Sequence, residues 1–143
     1  MQFDHAAIAC RDVERLRAWY ERVLGFTTFV RSQPSSPVVL QPTYLVGPPN
    51  SAVLLELMPE DKSPAHPRAF LAAGLSHLAL RVTDLGEWEA KLSSLGIEWL
   101  GPVSAATGGG LVRSFRDPEG NVLQIVDRQG KEPSGSAIRP APA

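Results

Sequence analysis

The chain has a single cysteine among its 143 residues, and this scarcity excludes two kinds of stabilising site. An intrachain disulfide needs two cysteines, and a thiolate-rich zinc site needs several. The one thiol, Cys10, lies at the end of an apolar segment, where a small side chain usually serves as packing. With 43% hydrophobic residues, the composition is instead typical of a soluble globular protein with an ordinary core.

An excess of charge of either sign is also absent. The 14 basic and 15 acidic side chains give a formal net charge of −1. The chain therefore has no excess of positive charge that would attract nucleic acid or an anionic membrane. The longest apolar stretches, such as residues 52–58, are only strand-sized and contain a carboxylate, so no segment is predicted to cross a bilayer. No secretory signal is recognisable. We therefore expect a cytoplasmic protein with neither nucleic-acid nor membrane partners.

Strand-like and helix-like segments follow one another in an order that occurs twice. Residues 2–10 predict a strand, and apolar residues at helical spacing then run from the N-cap Asp12 to Gly25. Three strands are predicted after this helix, at residues 26–32, 38–46 and 52–58. The second series is a strand at 75–82, a helix from Asp84 to Gly96, and strands at 97–101, 111–117 and 121–127.

The two series correspond residue by residue. His5 and Asp12 of the first recur as His77 and Asp84 at one constant separation, and Glu56 corresponds to Gln124. This is the pattern that a duplication with one loop deletion produces. We therefore predict an α+β fold of two βαβββ modules. The predicted organisation is a first module at 1–59, a linker at 60–73, a second module at 74–128 and a flexible C-terminal tail at 129–143.

Four polar side chains interrupt the strands at corresponding positions, namely His5, Glu56, His77 and Gln124. Strand alternation sets each among mainly apolar or small residues at i±2, so each is predicted to face inward. A lone histidine there is usually a half-buried, hydrogen-bonded residue, but a buried carboxylate is costly unless a cation or dedicated donors compensate it. Two imidazoles, a carboxylate and an amide oxygen converging on one divalent metal ion would meet that need.

The chain resembles the vicinal oxygen chelate superfamily over residues 1–128. The resemblance is carried by the paired modules that begin with a histidine strand, by the helix "RDVERLRAWYERVLGF" and by the closing segment "FRDPEGNVLQIVD". This superfamily includes glyoxalase I, methylmalonyl-CoA epimerase, extradiol dioxygenases, and fosfomycin and bleomycin resistance proteins. The resemblance implies an incomplete barrel around a central cleft and a homodimer. It also implies a divalent ion (Ni, Zn, Co, Mn or Fe) held by His5, Glu56, His77 and Gln124.

One of these positions departs from the family pattern. In glyoxalase I and the epimerase the position of Gln124 is usually a glutamate, and an amide cannot take a proton. The resemblance therefore implies a glyoxalase I-like lyase or isomerase in which Glu56 is the catalytic base, acting on a small substrate that chelates the metal through two oxygens. Three alternatives stay open: a metal-independent drug-binding protein of the bleomycin-resistance type, an extradiol dioxygenase-like oxidoreductase, and a thiol transferase acting on an antibiotic epoxide.

Two further features of the second module receive more ordinary interpretations. Arg113 and Arg116 lie on opposite faces of one strand, and either could meet a substrate carboxylate or phosphate. A solvated face is nevertheless the better prediction for them. The glycine run at 107–110 has no strand-to-helix context, so it is predicted to be a mobile flap beside the cleft and not a phosphate loop.

Overall fold

A strand, a helix and three strands follow one another twice along the chain, as the sequence predicts. The computed structural model describes residues 4–33, 41–60 and 75–130, and the chain divides into two units, Met1–Pro67 and Arg68–Ala143. The fold is α+β, with two βαβββ modules that each form one four-stranded sheet. The predicted linker and tail lie almost entirely outside the described residues. No helix within those residues is long and apolar enough to cross a membrane.

The first unit places its first and last strands side by side. Its elements are β1 (His5–Cys10), α1 (Val13–Leu24), β2 (Thr27–Ser32), β3 (Thr43–Gly47) and β4 (Leu54–Pro59). The sheet order is β1-β4-β3-β2, with β1 parallel to β4 and the other neighbours antiparallel. The predicted helix cap is confirmed, because Asp12 Oδ1 accepts the Arg15 N–H at 2.9 Å. Gly25 ends the helix with a φ of 71°.

The second unit repeats this arrangement. Its elements are β5 (Leu78–Val82), α2 (Leu85–Ser94), β6 (Ser104–Ala105), β7 (Leu111–Arg116) and β8 (Val122–Asp127). The sheet order is β5-β8-β7-β6, again with only the first and last strands parallel. Asp84 caps α2 through the Glu87 N–H at 2.9 Å. Neither sheet closes into a barrel, so each keeps two edge strands.

The strand predicted at 97–101 is wrong. Only Trp99 forms a bridge there, to Phe115 of β7, and the edge strand is the two-residue β6 further along the chain. The Ile97 N–H donates back to the Leu92 carbonyl at the end of α2, so it is not available to a neighbouring strand. Pro102 has no N–H to donate, and regular pairing therefore begins only after it.

In each unit the helix covers one face of the sheet and the core lies between them. Along β1, Ile8 and Cys10 are buried, whereas His5, Ala7 and Ala9 on the other face are exposed. The first-unit core also includes Leu55 and Leu57 of β4. These two residues flank Glu56 in the sequence and point to the opposite face of the strand. The predicted alternation is thus present, but the prediction that His5 faces inward is wrong, because His5 is exposed on the face that α1 does not cover.

In the second unit the largest buried side chains of the sheet lie on one face, and Val112, Val122 and Val126 on the other face are buried as well. Phe115, Leu123 and Ile125 are buried on one face, which also carries Arg113. The Arg113 guanidinium reaches Glu89 of α2 at 2.6 Å, so this is the face that the helix covers. Gln124 points to the opposite face, because successive side chains on a strand alternate.

A polar network fastens α1 to its sheet. The Tyr44 hydroxyl of β3 donates to Glu14 at 2.5 Å, and the Thr28 hydroxyl of β2 donates to Glu21 at 2.6 Å. Arg17 lies between the two carboxylates and pairs with both. The hydrogen bond from Arg17 lowers the pKa of Glu14, and that from Thr28 lowers the pKa of Glu21. Both carboxylates therefore stay ionised and hold the helix at neutral pH.

The predicted flap at 107–110 is the turn between β6 and β7. The Ala106 N–H donates to the Gly110 carbonyl, and the Gly109 N–H donates to the Ala106 carbonyl. Arg128 also donates to the carbonyls of Thr107 and Gly109, at 2.7 and 2.8 Å. Gly110 has a φ of 91°, and a Cβ on it would overlap the Asp127 carbonyl. The turn is thus held against the end of β8.

The substitution Gly110→Ala is expected to lower the free energy of unfolding by about 2 kcal/mol or more, because it adds both a backbone strain and a steric overlap. Urea denaturation checks this. The matched control is Gly101→Ala, where an added Cβ meets nothing within 4 Å, and its effect should stay within about 1 kcal/mol. Equal stability of the two variants would contradict the described turn.

Candidate functional site

His5 and Glu56 meet on neighbouring parallel strands of the first unit. The register pairs Ala7 with Glu56. His5 is two residues before Ala7 on β1, so it lies on the same sheet face as Glu56. His5 Nε2 and Glu56 Oε2 are 3.5 Å apart, and the two side chains are 42% and 29% exposed. The structure thus brings together two of the four predicted ligands, in a place that solvent and small molecules can reach.

The Asp4 carboxylate contacts the His5 ring. Its Oδ2 lies 2.7 Å from His5 Nδ1, and this hydrogen bond raises the pKa of His5 above its ordinary value. Burial has an opposing effect, and the negative charge of Glu56 adds to the increase. When the ring is neutral with its proton on Nδ1, the lone pair of Nε2 is directed to the side of Glu56. A carboxylate on the far nitrogen of a metal-binding histidine is a common supporting contact.

The second unit repeats the same offset between strands. The register of β5 and β8 pairs Ala79 with Gln124, and His77 lies two residues before Ala79, immediately ahead of β5. Gln124 Nε2 donates to Ser114 Oγ at 3.1 Å, so the amide is oriented and its carbonyl oxygen stays available as a donor atom to a cation. His77 Nδ1 lies 3.1 Å from Ser76 Oγ.

The fit of a metal ion can be judged from the donor atoms. Two donors about 2.1 Å from one ion are at most about 4.2 Å apart, so the 3.5 Å between His5 and Glu56 is compatible with a shared ion. Imidazole, carboxylate and amide oxygen are all suitable donors for divalent metals. Within residues 4–33, 41–60 and 75–130, no group of three or more His, Cys, Asp and Glu side chains could hold a metal. The convergence of all four predicted ligands therefore stays a prediction.

Two contributors to the site are missing from the sequence prediction. Asp4 could have been predicted from the sequence, because it directly precedes His5 and a carboxylate beside a strand histidine can accept a hydrogen bond from its ring. Ser114 could not have been predicted in this way, because its position opposite Gln124 follows only from the pairing of β7 with β8.

The prediction of a solvated position is wrong for Arg113, since it pairs with Glu89 on the face that α2 covers.

The family model described as the glyoxalase/bleomycin resistance protein/dioxygenase superfamily matches residues 2–125 of the chain. No curated protein matches the sequence. Among solved structures, a glyoxalase family protein from Enterococcus faecalis is 27% identical, with a TM-score of 0.72, and the match covers 88% of this chain and 97% of that one.

Two more distant structures share the fold and differ in what they bind. An antibiotic binding protein from Streptomyces sp. CB03234 is 22% identical, with a TM-score of 0.66, over 90% of this chain and 96% of that one. A fosfomycin resistance protein from Listeria monocytogenes, solved with Mn(II), is 13% identical, with a TM-score of 0.61, over 87% and 88% of the two chains.

The pKa of His5 is expected to fall in the variant Asp4→Asn, because the ionised acceptor that stabilises the imidazolium is removed. Titration of the His5 ring proton by NMR in metal-free protein measures the change. Glu98→Gln is the matched control, since it removes one exposed negative charge from the other unit. If the two variants leave the pKa of His5 equally unchanged, Asp4 does not contact the ring in solution.

Proposed function

The chain belongs to the glyoxalase/bleomycin resistance protein/dioxygenase superfamily, and on this basis we propose that it is a metal-dependent lyase or isomerase of the glyoxalase type. Its substrate is a small molecule with two oxygens placed to chelate a metal. The observation that carries the proposal is the pair His5 and Glu56, whose nitrogen and oxygen lie 3.5 Å apart on the exposed face of one sheet. The same strand offset recurs at His77 and Gln124.

The residues proposed to hold a divalent ion are His5, Glu56, His77 and Gln124. The donor set suits Ni, Zn, Co, Mn or Fe, and the Mn(II) bound by the Listeria protein supports an ion of this class. Ser114 supports the role of Gln124, because it occupies the amide nitrogen and leaves the carbonyl oxygen for the cation. Asp4 supports His5 in the same way from the far side of the ring.

Glu56 is the proposed catalytic base. When bound, the divalent ion supplies Lewis-acid polarisation of the substrate oxygens, which makes a neighbouring C–H more acidic. Glu56 takes that proton and returns it to the adjacent carbon, a role worth about 10²–10⁴ in rate for a well-placed base. Gln124 cannot share this task, because a neutral amide has no basic site at neutral pH. The proton chemistry is therefore assigned to the first unit.

A metal-independent small-molecule binding protein is the second proposal. The antibiotic binding protein from Streptomyces, with the same fold, supports it. Ring cleavage by iron is a weaker fit, because extradiol dioxygenases take their carboxylate from the second module, where this chain has Gln124. A cytoplasmic homodimer is the assembly that we propose for either function.

Protein purified without chelator is expected to carry about one divalent ion per chain by elemental mass spectrometry. His5→Ala and His77→Ala should each lower this content about tenfold or more, because each removes a ligand. His66→Ala removes the third histidine of the chain and none of the proposed ligands, so it serves as the matched control. A wild-type chain that takes up none of the five ions would exclude the metal enzyme and favour the binding protein.

The variant Glu56→Gln is expected to keep the fold and to lose turnover by a factor of about 10² or more, since the base is replaced by an amide of the same shape. Activity is measured on whichever substrate the wild-type chain converts among methylglyoxal–thiol adducts, acyl-CoA epimers and catechols. Circular dichroism establishes that the variant is folded. Undiminished turnover would eliminate Glu56 as the base.

A further inference from the structure

A groove of about 320 Å³ lies within the second unit, between residues 100–104 and β7. We refer to it as the β7 groove. Its side chains come mainly from the sheet face that carries Gln124, since Ser114 and Arg116 alternate with residues that face α2. The lining combines apolar and polar groups, namely Leu100, Pro102, Val112, Ser104, Ser114 and Arg116. Such a mixture, with a volume near the lower end of ligand pockets, suits a small molecule.

Arg116 supplies the net positive charge of the β7 groove. Arg113 also lines it, but its charge is neutralised by Glu89 at 2.6 Å, and its Nε donates to the Gly101 carbonyl. Arg116 is exposed, and one of its nitrogens donates to the Gly120 carbonyl at 2.6 Å. No carboxylate within the described part of the chain pairs with it. Because a guanidinium has five N–H donors, several remain for a ligand.

The β7 groove adjoins the proposed ligand Gln124. Ser114 lies directly opposite Gln124 in the strand register and accepts its amide hydrogen bond, while also lining the groove. Arg116 is the next residue on the same face of β7, about 7 Å further along the strand. A molecule near Gln124 therefore needs to extend by only a few bonds before it meets the guanidinium.

We propose that the β7 groove receives an anionic group, a carboxylate or phosphate, of a small substrate, and that Arg116 is the residue that selects for it. This proposal rests on the function proposed above and adds the charge of the substrate to it. The planar guanidinium fork matches two oxygens of either anion. Leu100, Pro102 and Val112 provide an apolar wall for the carbon skeleton. A neutral substrate would leave the charge of Arg116 without a partner.

Binding of three related probes tests this proposal. Benzoate and phenyl phosphate carry the two anions, and benzamide is the neutral counterpart of benzoate. Each is titrated into the full chain at constant ionic strength, both as purified and after chelator treatment, with backbone amide NMR shifts as the readout. We expect both anions to bind before and after chelation, with shifts concentrated at 100–104 and 112–116. Benzamide should bind at least about tenfold more weakly.

Variants of Arg116 then test whether this residue is the source of the preference for anionic over neutral probes. Arg116→Gln should weaken binding of the anions about tenfold or more and leave benzamide binding unchanged. Arg116→Lys keeps the charge without the fork, so it should fall between the two. Lys91→Gln is the matched control, because it removes one positive charge from α2, on the other face of the sheet, and anion binding should not change.

Three outcomes would overturn the proposal. They are the absence of anion binding by the wild-type chain, equal affinity in Arg116→Gln, and shifts that lie away from the β7 groove. Binding that disappears on chelation and ignores Arg116 would also count against it, since the anion would then be a metal ligand. If metal analysis instead fails while Arg116-dependent binding persists, the enzyme proposal falls and the anion subsite stands.

Discussion

Parallel pairing of the first and last strands is the constraint on which both units depend. Parallel strands cannot be joined by a tight hairpin, and in each unit the connection consists of a helix and two further strands. The parallel pairing also fixes a register in which Ala7 lies beside Glu56 and Ala79 beside Gln124. A slip by one residue would turn every side chain of a strand to the other face. The positions of Glu56 and Gln124 therefore depend on the same register as the cores.

Because each helix covers only one face of its sheet, a small unit keeps both a core and an uncovered sheet face. Each helix is amphipathic, capped by an aspartate and packed on one sheet face, and α1 is further fastened by Tyr44 and Thr28. The other face combines polar and small residues, among them Ala7 and Ala9 of β1, with apolar ones such as Val122 and Val126 of β8. The small side chain of Ala7, beside the proposed ligand Glu56, leaves room above the sheet. The same alternation that builds the core therefore also places the proposed ligands on the opposite face.

The two units differ most in how they treat the corresponding residues Glu56 and Gln124. In the first unit the carboxylate lies near an imidazole whose far nitrogen is held by Asp4. In the second, the amide is held by a cross-strand serine, and the groove beside it carries Arg116. This asymmetry agrees with the two proposals, in which the first unit transfers the proton and the second recognises the charge of the substrate.

The sequence alone determined the features that arise from short spacings. Helical periodicity and the caps Asp12 and Asp84 predict both helices, alternation predicts which strand residues share a face, and the repeat aligns His5 with His77. The strand predicted at 97–101 is wrong, because the hydrogen bond from the Ile97 N–H to the Leu92 carbonyl and the proline at 102 outweigh the β propensity of this segment. Only the tertiary structure decided that Ser114 holds Gln124 and that Glu89 neutralises Arg113. Local patterns fix which way a side chain points, but strand register and helix placement fix what it meets, and both depend on residues far apart in the chain.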